Sequence, residues 1–364
     1  MRKYILFLLM SVGAVAFAAP PLVYNGDTLA WNYAWERKQC GTLDIKANIK
    51  EVSGIACSRV TPGYIWMQSD DYESYMIATD EKGETRYCTI TFTKSIRGDW
   101  EDLSGGVYEG KNYLFIGAFG DNGESWGDYS IVYLEEPAID AENKTKVTIE
   151  PRNIKFVYPD GKKHNCEALM YDNVEQMIYI ITKVYYNVCQ VFSIPFRLDY
   201  GDETQTLTYI CDLGVRSDLG ESEKNQPYKG FHLVTAADIS PDGKYVLIKN
   251  HNNIVANYSW ILYWVRQEGE SIAETVKRTP QPLKCYQWEW QGEAICWLDD
   301  DTFYTTSDAD DGNPPIYKYT RKWPESINQI NDDLSHSNKI IVDGQLFIQR
   351  GEQLYTLAGQ PVQW

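Results

Sequence analysis

The chain alternates short apolar runs with polar turns along most of its length. The runs are rich in Val, Ile, Tyr, Trp and Thr, and the turns between them contain Gly, Asp or Asn. No long segment shows the apolar period of 3.6 residues that is typical of an amphipathic helix. This pattern predicts an all-β protein.

Five similar segments recur along the chain: "VSGIACS", "WEDLSGG", "CEALMYD", "AADISPD" and "GEAICWL". Aligning them on their central apolar residue places five anchors in register, namely Ile55, Leu103, Leu169, Ile239 and Ile295. Further apolar runs follow each anchor, such as "MIYIITK", "VCQVFSIP" and "TLTYICDL" in the third unit. Units of four strands joined by short turns predict the blades of a β-propeller. A β-sandwich requires no such recurrence.

Five blades fit this count, and six would fit if the two longest gaps between anchors contained additional strands. The last unit supplies only three strands, "AICWLD", "TFYTTSD" and "PIYKYT". We expect the N-terminal segment "CGTLDIKANI", residues 40–49, to supply the fourth. The ring would then be closed by strands from both ends of the propeller, which removes the exposed sheet edges that favour aggregation.

The two ends of the chain differ from the propeller, which we predict to span residues 20–325. Residues 1–19 combine two basic residues, an apolar run and a small-x-small triplet, as in a secretory signal peptide. The apolar run is too short to span a bilayer. Residues 326–339 are polar and predict a linker, and residues 340–364 predict a short β tail. We therefore expect a secreted or extracytoplasmic protein, in the periplasm or at the cell surface.

The charge of the chain restricts its partners. The formal net charge of −17 repels phosphate groups, which argues against binding of nucleic acid. No segment after the signal peptide is apolar enough to span a membrane. A glycan, a small molecule or a protein remains as the partner, and we expect a monomer. The eight cysteines fit disulfides or buried free thiols equally well, because the sequence alone does not define their pairing.

Three glutamates, Glu101, Glu167 and Glu293, stand two residues before their anchors. In a propeller, the loops between second and third strands and the loops between successive blades lie at one end of the ring, and we call this end the top face. The three carboxylates should converge there on the central channel, where their repulsion raises pKa values or attracts a cation such as calcium. Alternatively, each links two blades by accepting backbone N–H bonds. Asp238 is a weaker member of this set, because it is offset by one position.

Aromatic and imidazole side chains flank the same face. Trp100 and Trp290 would suit stacking on sugar rings, although Trp residues also fill the gaps between blades. His164 and His251 would suit a ligand or a base, although loop histidines commonly face water. No SxxK, HExxH or Walker motif is present, and no catalytic residue is assigned.

The segments "DWEDLSGG", "EALMYD", "EAICWL" and the "SPDG" turn resemble blades of the secreted bacterial gluconolactonase and phytase-like propellers. In metal-dependent lactonases of that group, a channel glutamate with Asn and Asp ligands holds the calcium that polarises the ester carbonyl. The resemblance implies that role for Glu101, Glu167 or Glu293, but it identifies no Asn or Asp partner. The final segment "IIVDGQLFIQRGEQLYTLAGQPVQW" resembles the C-terminal sorting segments of type IX secretion cargo, but it does not end on basic residues as they do.

These observations favour a propeller that binds a glycan or another cell-envelope component at an acidic top face rimmed by aromatic residues. A calcium-dependent hydrolase of the lactonase or esterase type, using the channel carboxylates, is the first alternative. A structural or protein-interaction scaffold is the second.

Overall fold

The structure is a computed structural model of the chain. The residues that it describes are 22–24, 27–29, 32–70, 75–184, 189–213, 215–217, 233–252, 258–283, 286–287, 289, 291–308, 312–322, 337–342, 345–350 and 353–355. The predicted signal peptide and most of the predicted linker lie outside these ranges. The chain divides into two compact units, Met1–Thr320 and Arg321–Trp364.

The first unit is a five-bladed β-propeller, as the recurrent segments predict. Each blade is a sheet of at least four strands, which follow one another from the channel outward. Blade 1 has Val52–Cys57, Tyr64–Ser69, Tyr75–Asp80 and Cys88–Phe92. Blade 2 has Asp99–Tyr108, Lys111–Gly120, Tyr129–Glu135 and Arg152–Val157. Blade 3 has Cys166–Asp172, Met177–Thr182, Cys189–Pro195 and Thr208–Leu213.

The remaining two blades complete the ring. Blade 4 has Val234–Ile239, Tyr245–Asn252, Tyr258–Val265 and Gln281–Pro282, with Tyr286–Gln287 also paired to its third strand. Blade 5 has Ala294–Asp299, Thr302–Thr306, Pro315–Arg321 and the N-terminal strand Trp35–Thr42. The innermost strand of each blade contacts the innermost strands of both neighbouring blades, and blade 5 contacts blade 1. The predicted closure by strands from both ends is therefore confirmed.

The closing strand itself lies earlier in the chain than the sequence pattern indicated. Only residues 40–42 of the predicted segment belong to it, and residues 45–47 form a turn. The carboxylate of Asp44 accepts the backbone N–H of Lys46 at 3.0 Å, which favours a turn at this point. The outer strand of a blade is half exposed, so its polar sequence "WERKQCGT" does not show the apolar run that marks the inner strands.

Burial explains why the inner strands have continuous apolar runs. Both faces of a blade pack against neighbouring blades, so every residue of Cys166–Asp172 is buried. The outer strand Arg152–Val157 instead alternates exposed and buried positions along its second half. Aromatic rings fill the gaps between blades, as where Phe115 of blade 2 stacks on Tyr171 of blade 3 with ring centroids 4.6 Å apart.

A few further elements surround the blades. Thr145–Ile149 and Gln205–Thr206 add short parallel strands outside blades 1 and 2. Leu22–Tyr24, Asp27–Thr28 and Val215–Ser217 form a small antiparallel sheet. The helix Ile272–Thr275 begins at Ser271, whose side chain accepts the backbone N–H of Glu274. In the described ranges, no helix has the length and apolarity that a membrane span needs.

The second unit contains a three-stranded antiparallel sheet. Its strands are Ser337–Val342, Gln345–Arg350 and Gln353–Tyr355. The likeness of this segment to a sorting signal stays a prediction.

Candidate functional site

The three predicted glutamates lie where the inner strands of their blades begin. In blades 2 and 3 the pairing of the inner strand with its neighbour shifts at Glu101 and Glu167, as in a β-bulge. Glu293 immediately precedes the inner strand of blade 5. All three side chains are buried. A bulge redirects a side chain out of the alternating pattern of the strand, which is why acidic residues can occupy these positions beside a hydrophobic core.

Lys183 lies within the electrostatic influence of all three glutamates, although no sequence motif marks it. It directly follows the second strand of blade 3, and its Nζ donates a hydrogen bond of 2.8 Å to Glu167. Burial lowers the pKa of Lys183, but the charges of Glu167, Glu293 and Glu101 outweigh burial and raise it. A lysine at the start of a top-face loop, in the blade whose inner strand carries Glu167, was the signal that could have identified it.

The negative charge of the Glu101 carboxylate is only partly balanced by hydrogen-bond donors and positive charge. Burial raises its pKa well above the usual range, and the charges of Glu167 and Asp99 raise it further. The Oγ of Ser53 from blade 1 donates a hydrogen bond to it at 3.2 Å. Ser53 occupies the equivalent bulge position of blade 1, so this contact links two neighbouring blades.

Amide groups fix the position of Glu167. The Nδ2 of Asn165 donates to it at 3.0 Å, and the Oδ1 of Asn165 accepts the backbone N–H of Asp121 from blade 2 at 2.7 Å. Among the residues that the structure describes, no group of three His, Cys, Asp or Glu side chains is arranged to hold a metal ion. The ammonium group of Lys183 supplies positive charge at this point, and calcium at the glutamates stays a prediction.

The register of blade 4 corrects the position of Asp238. The bulge of its inner strand lies between Val234 and Ala236, so Thr235 is the residue equivalent to the glutamates. Ala237 rather than Ile239 is therefore equivalent to the anchors of the other blades. Asp238 therefore lies two positions further along the strand, away from the top face, than the alignment predicted. The alignment failed here because the apolar pattern does not reveal the bulge.

Two aspartates form hydrogen bonds across the middle of the channel. Asp102 is fully buried and accepts backbone N–H groups of Leu103, Leu169 and Ala237 at 2.8, 2.9 and 2.9 Å. Asp238 accepts the backbone N–H of Trp297 at 2.8 Å.

The hydroxyl of Ser104 completes this network. It donates to Asp238 at 3.3 Å and accepts the backbone N–H of Tyr171 at the same distance. Burial raises the pKa of Asp238 to about 6. The network joins the inner strands of blades 2 to 5. These two aspartates thus link the blades by accepting backbone N–H groups from the inner strands of other blades. Linking the blades in this way was the alternative role predicted for the glutamates.

A cavity of about 430 Å³ opens on the top face between blades 1 and 2. It is lined by the ends of the second strands of both blades, by residues 95–98 and by part of the loop 121–126. Asp70, Asp99 and Asp121 contribute carboxylates, and Trp100 and Trp126 contribute indole rings. A concave site with aromatic walls and a few polar groups is the usual form of a small-ligand site.

Two of these carboxylates have raised pKa values. Burial raises the pKa of Asp70 to about 8, and the charges of Asp308 and Glu293 add to the shift. Burial raises the pKa of Asp99 to about 6, with Glu167 raising it further and Lys183 opposing. At neutral pH Asp70 therefore retains a proton, and it can both donate and accept a hydrogen bond. Such shifts concentrate at functional sites.

The third carboxylate, Asp121, instead organises the loop beside the cavity. It accepts the backbone N–H groups of Ser125 and Trp126 at 2.9 and 2.8 Å, and the hydroxyl of Tyr129 at 2.7 Å. Burial raises its pKa, but these three hydrogen bonds outweigh burial and lower it. The side chain of Trp126 remains 56% exposed at the cavity. The indole is thus presented by a loop whose backbone is already held in place.

The other predicted ligand residues have different surroundings. Trp100 is buried against Phe92, with ring centroids 5.7 Å apart, and contributes only part of its surface to the cavity. The Nε2 of His164 lies 3.0 Å from the Asp160 carboxylate, within the same loop. His251 lies in the second strand of blade 4, but its side chain is outside the described part of the structure, as is all of Trp290.

Comparison with known proteins finds distant structural similarities. No protein-family model and no curated protein matches the chain. The β-propeller domain of Cps50 (Swd1) from Myceliophteria thermophila is 12% identical, with 73% of this chain and 82% of that chain covered and a TM-score of 0.33. Raptor from Chaetomium thermophilum is 8% identical, with 79% and 29% covered and a TM-score of 0.39.

A putative 6-phosphogluconolactonase from Bacteroides uniformis is also similar. It is 11% identical, with 85% of this chain and 83% of that chain covered and a TM-score of 0.32. At such identities these similarities concern the fold alone, and the propeller fold hosts many unrelated functions. The cavity therefore provides the basis for the proposed function.

Proposed function

We propose that the chain is a binding protein whose top-face cavity between blades 1 and 2 accommodates a hydroxyl-rich ligand, a glycan of the cell envelope. The observation that carries the proposal is the exposed indole of Trp126 on a loop anchored by Asp121 at the side of this cavity. An indole face matches the C–H face of a sugar ring. Because the backbone of its loop is already ordered, binding loses less conformational entropy there.

The polar groups of the cavity suit hydroxyls. Sugar hydroxyls both donate and accept hydrogen bonds, and Asp70 does the same while it is protonated. Asp99, which titrates at about pH 6, is ionised at neutral pH and accepts. The carboxylates of Asp99 and Asp121 outnumber the one guanidinium group of the lining, that of Arg97, so the proposal is restricted to neutral or basic glycans.

The test is a glycan array probed with the full chain and with Trp126→Ala. We expect the wild-type chain to bind a subset of neutral or basic glycans, and the variant to bind them at least about tenfold more weakly, because buried aromatic contacts dominate binding energies. Val174→Ala is the matched control, since Val174 is 61% exposed in a turn at the opposite end of its blade. Trp126 is exposed, so its substitution should leave stability nearly unchanged.

Two results would contradict the proposal. One is an array without any bound glycan. The other is Trp126→Ala binding as tightly as the wild-type chain and the Val174→Ala control.

A further inference from the structure

Two cysteines meet where the last blade joins the first. Cys57 ends the innermost strand of blade 1, and Cys296 lies in the innermost strand of blade 5. Their Sγ atoms are 3.4 Å apart, and the two residues lie 239 positions apart in the chain. Both are buried, Cys57 with 7% and Cys296 with 1% of its surface exposed. The contact therefore exists only once the ring has closed.

We propose that Cys57 and Cys296 form a disulfide that joins blades 1 and 5 covalently. A disulfide has a sulfur separation of about 2.0 Å, so the two sulfurs need to approach each other by little more than about 1 Å, roughly half of it at each side chain. They also lie on strands that the sheets already hold in position. The bond thus needs side-chain adjustment and no rearrangement of the blades.

Other cysteines have different surroundings. The Sγ of Cys40 donates to the carbonyl oxygen of Ile316 at 3.3 Å, and the Sγ of Cys166 lies 2.9 Å from the hydroxyl of Tyr158. Cys88 is buried in the outer part of blade 1 among apolar side chains. Cys57 and Cys296 are the candidates for a disulfide because their sulfur atoms are in direct contact.

The reaction is thiol–disulfide exchange with an external disulfide such as glutathione disulfide. The thiolate of Cys57, the more exposed of the two, attacks one sulfur of the oxidant and forms a mixed disulfide, releasing the first thiol. The thiolate of Cys296 then attacks the Cys57 sulfur and releases the second. Two protein thiols lose two protons and two electrons, and the oxidant gains them as two free thiols.

The bond would add a covalent link to the closure of the ring. At the outer side of blade 5, the strand Trp35–Thr42 pairs with Pro315–Arg321 through the hydrogen bonds of the sheet. At the inner side the disulfide would prevent blades 1 and 5 from separating. Because it spans a very long loop, it restricts the unfolded chain strongly, and we expect it to raise the Tm by at least about 5 °C.

The experiment maps the bond in the full chain. The purified protein is incubated with glutathione disulfide during refolding, blocked with N-ethylmaleimide and digested without reductant. Mass spectrometry should find the Cys57 and Cys296 peptides linked and two hydrogens lighter than their sum. Reduction should separate them and lower the Tm of the wild-type chain by at least about 5 °C.

Variants distinguish the effect of this disulfide on the Tm from effects of the reductant on other cysteines. Cys57→Ala and Cys296→Ala should show no Tm difference between oxidising and reducing conditions, whereas Cys88→Ala should retain the full difference. Both peptides carrying N-ethylmaleimide after oxidation would overturn the proposal. So would a linkage of either cysteine to a third one, or a linked pair whose reduction leaves the Tm unchanged.

Discussion

The middle of the channel and its upper end differ in how they surround a buried carboxylate, as two neighbouring residues of blade 2 show. Asp102 and Glu101 lie in the same bulge, and both are buried. Asp102 points to three backbone N–H groups from blades 2, 3 and 4. Glu101 instead meets Ser53 and the charges of Glu167 and Asp99. Burial raises the pKa of both carboxyl groups well above the usual range, but backbone hydrogen bonds oppose this shift at Asp102, whereas neighbouring carboxylates add to it at Glu101.

The contrast separates stability from binding. A buried carboxylate with hydrogen-bond donors on several strands links those strands. A buried carboxylate among other carboxylates is destabilised in its charged form, and a ligand that supplies donors or positive charge can relieve this. Propeller stability should therefore depend most on Asp102 and Asp238, whereas the groups above them contribute less to stability and are available to a ligand.

The largest effect should follow from Asp102→Asn, which replaces one carboxylate oxygen by an NH2 group and leaves the shape of the side chain nearly unchanged. The amide group of Asn would place a donor against backbone N–H groups that now have an acceptor. We expect a loss of about 3–5 kcal/mol in the free energy of unfolding, measured by urea denaturation at pH 7. Asp202→Asn, at an exposed site, should be nearly neutral. An Asp102→Asn chain as stable as Asp202→Asn would invalidate the distinction between the two sets of carboxylates.

A smaller loss should follow from Lys183→Met, which removes the ammonium group beside Glu167 and keeps most of the apolar side chain. Breaking a buried ion pair leaves an uncompensated charge, so we expect a loss of about 2–4 kcal/mol at pH 7. The loss should shrink near pH 5, because the raised pKa of Glu101 allows protonation to remove the repulsion. Urea denaturation at both pH values measures this. A loss that is equal at pH 5 and pH 7 would show that the carboxylates do not depend on Lys183.

The third effect is the pH dependence that Asp70 should give to the stability of the chain. Its pKa is about 8 in the folded chain and about 4 in an unfolded chain, so the folded state binds more protons between these values. Stability should therefore fall as pH rises from about 4 to about 8. Asp70→Asn should flatten this part of the Tm–pH profile and raise the Tm by a few degrees at pH 8. A profile with the wild-type slope would show that Asp70 does not titrate in this range, and Asp202→Asn controls for net charge.

Much of the architecture could be predicted from the sequence, because inner strands buried on both faces produce recurrent apolar runs. The spacing of Glu101, Glu167 and Glu293 from those runs also indicated that they would lie at one end of the channel. The closing strand was misplaced because an outer strand is half exposed and polar.

The rest depends on information that an apolar pattern does not contain. The bulge at Thr235 shifted the register of blade 4, and this moved Asp238 from the predicted set into the central network. Lys183 had no motif to mark it, since its role comes from glutamates in two other blades as well as its own. The cavity beside Trp126 also needs loops from two blades to form.

The N-terminal closing strand has a consequence for how the chain is made. Cys40 in that strand lies 276 positions before its contact Ile316 in blade 5. At a synthesis rate of about 5–20 residues per second, the strand leaves the ribosome roughly 14–55 s before its partner exists. An unpaired strand in that interval is open to pairing with other nascent chains. The charged sequence "WERK" at the start of the strand makes such pairing unfavourable. The polar character that hides this strand in the sequence pattern should therefore also protect the unfinished chain from aggregation.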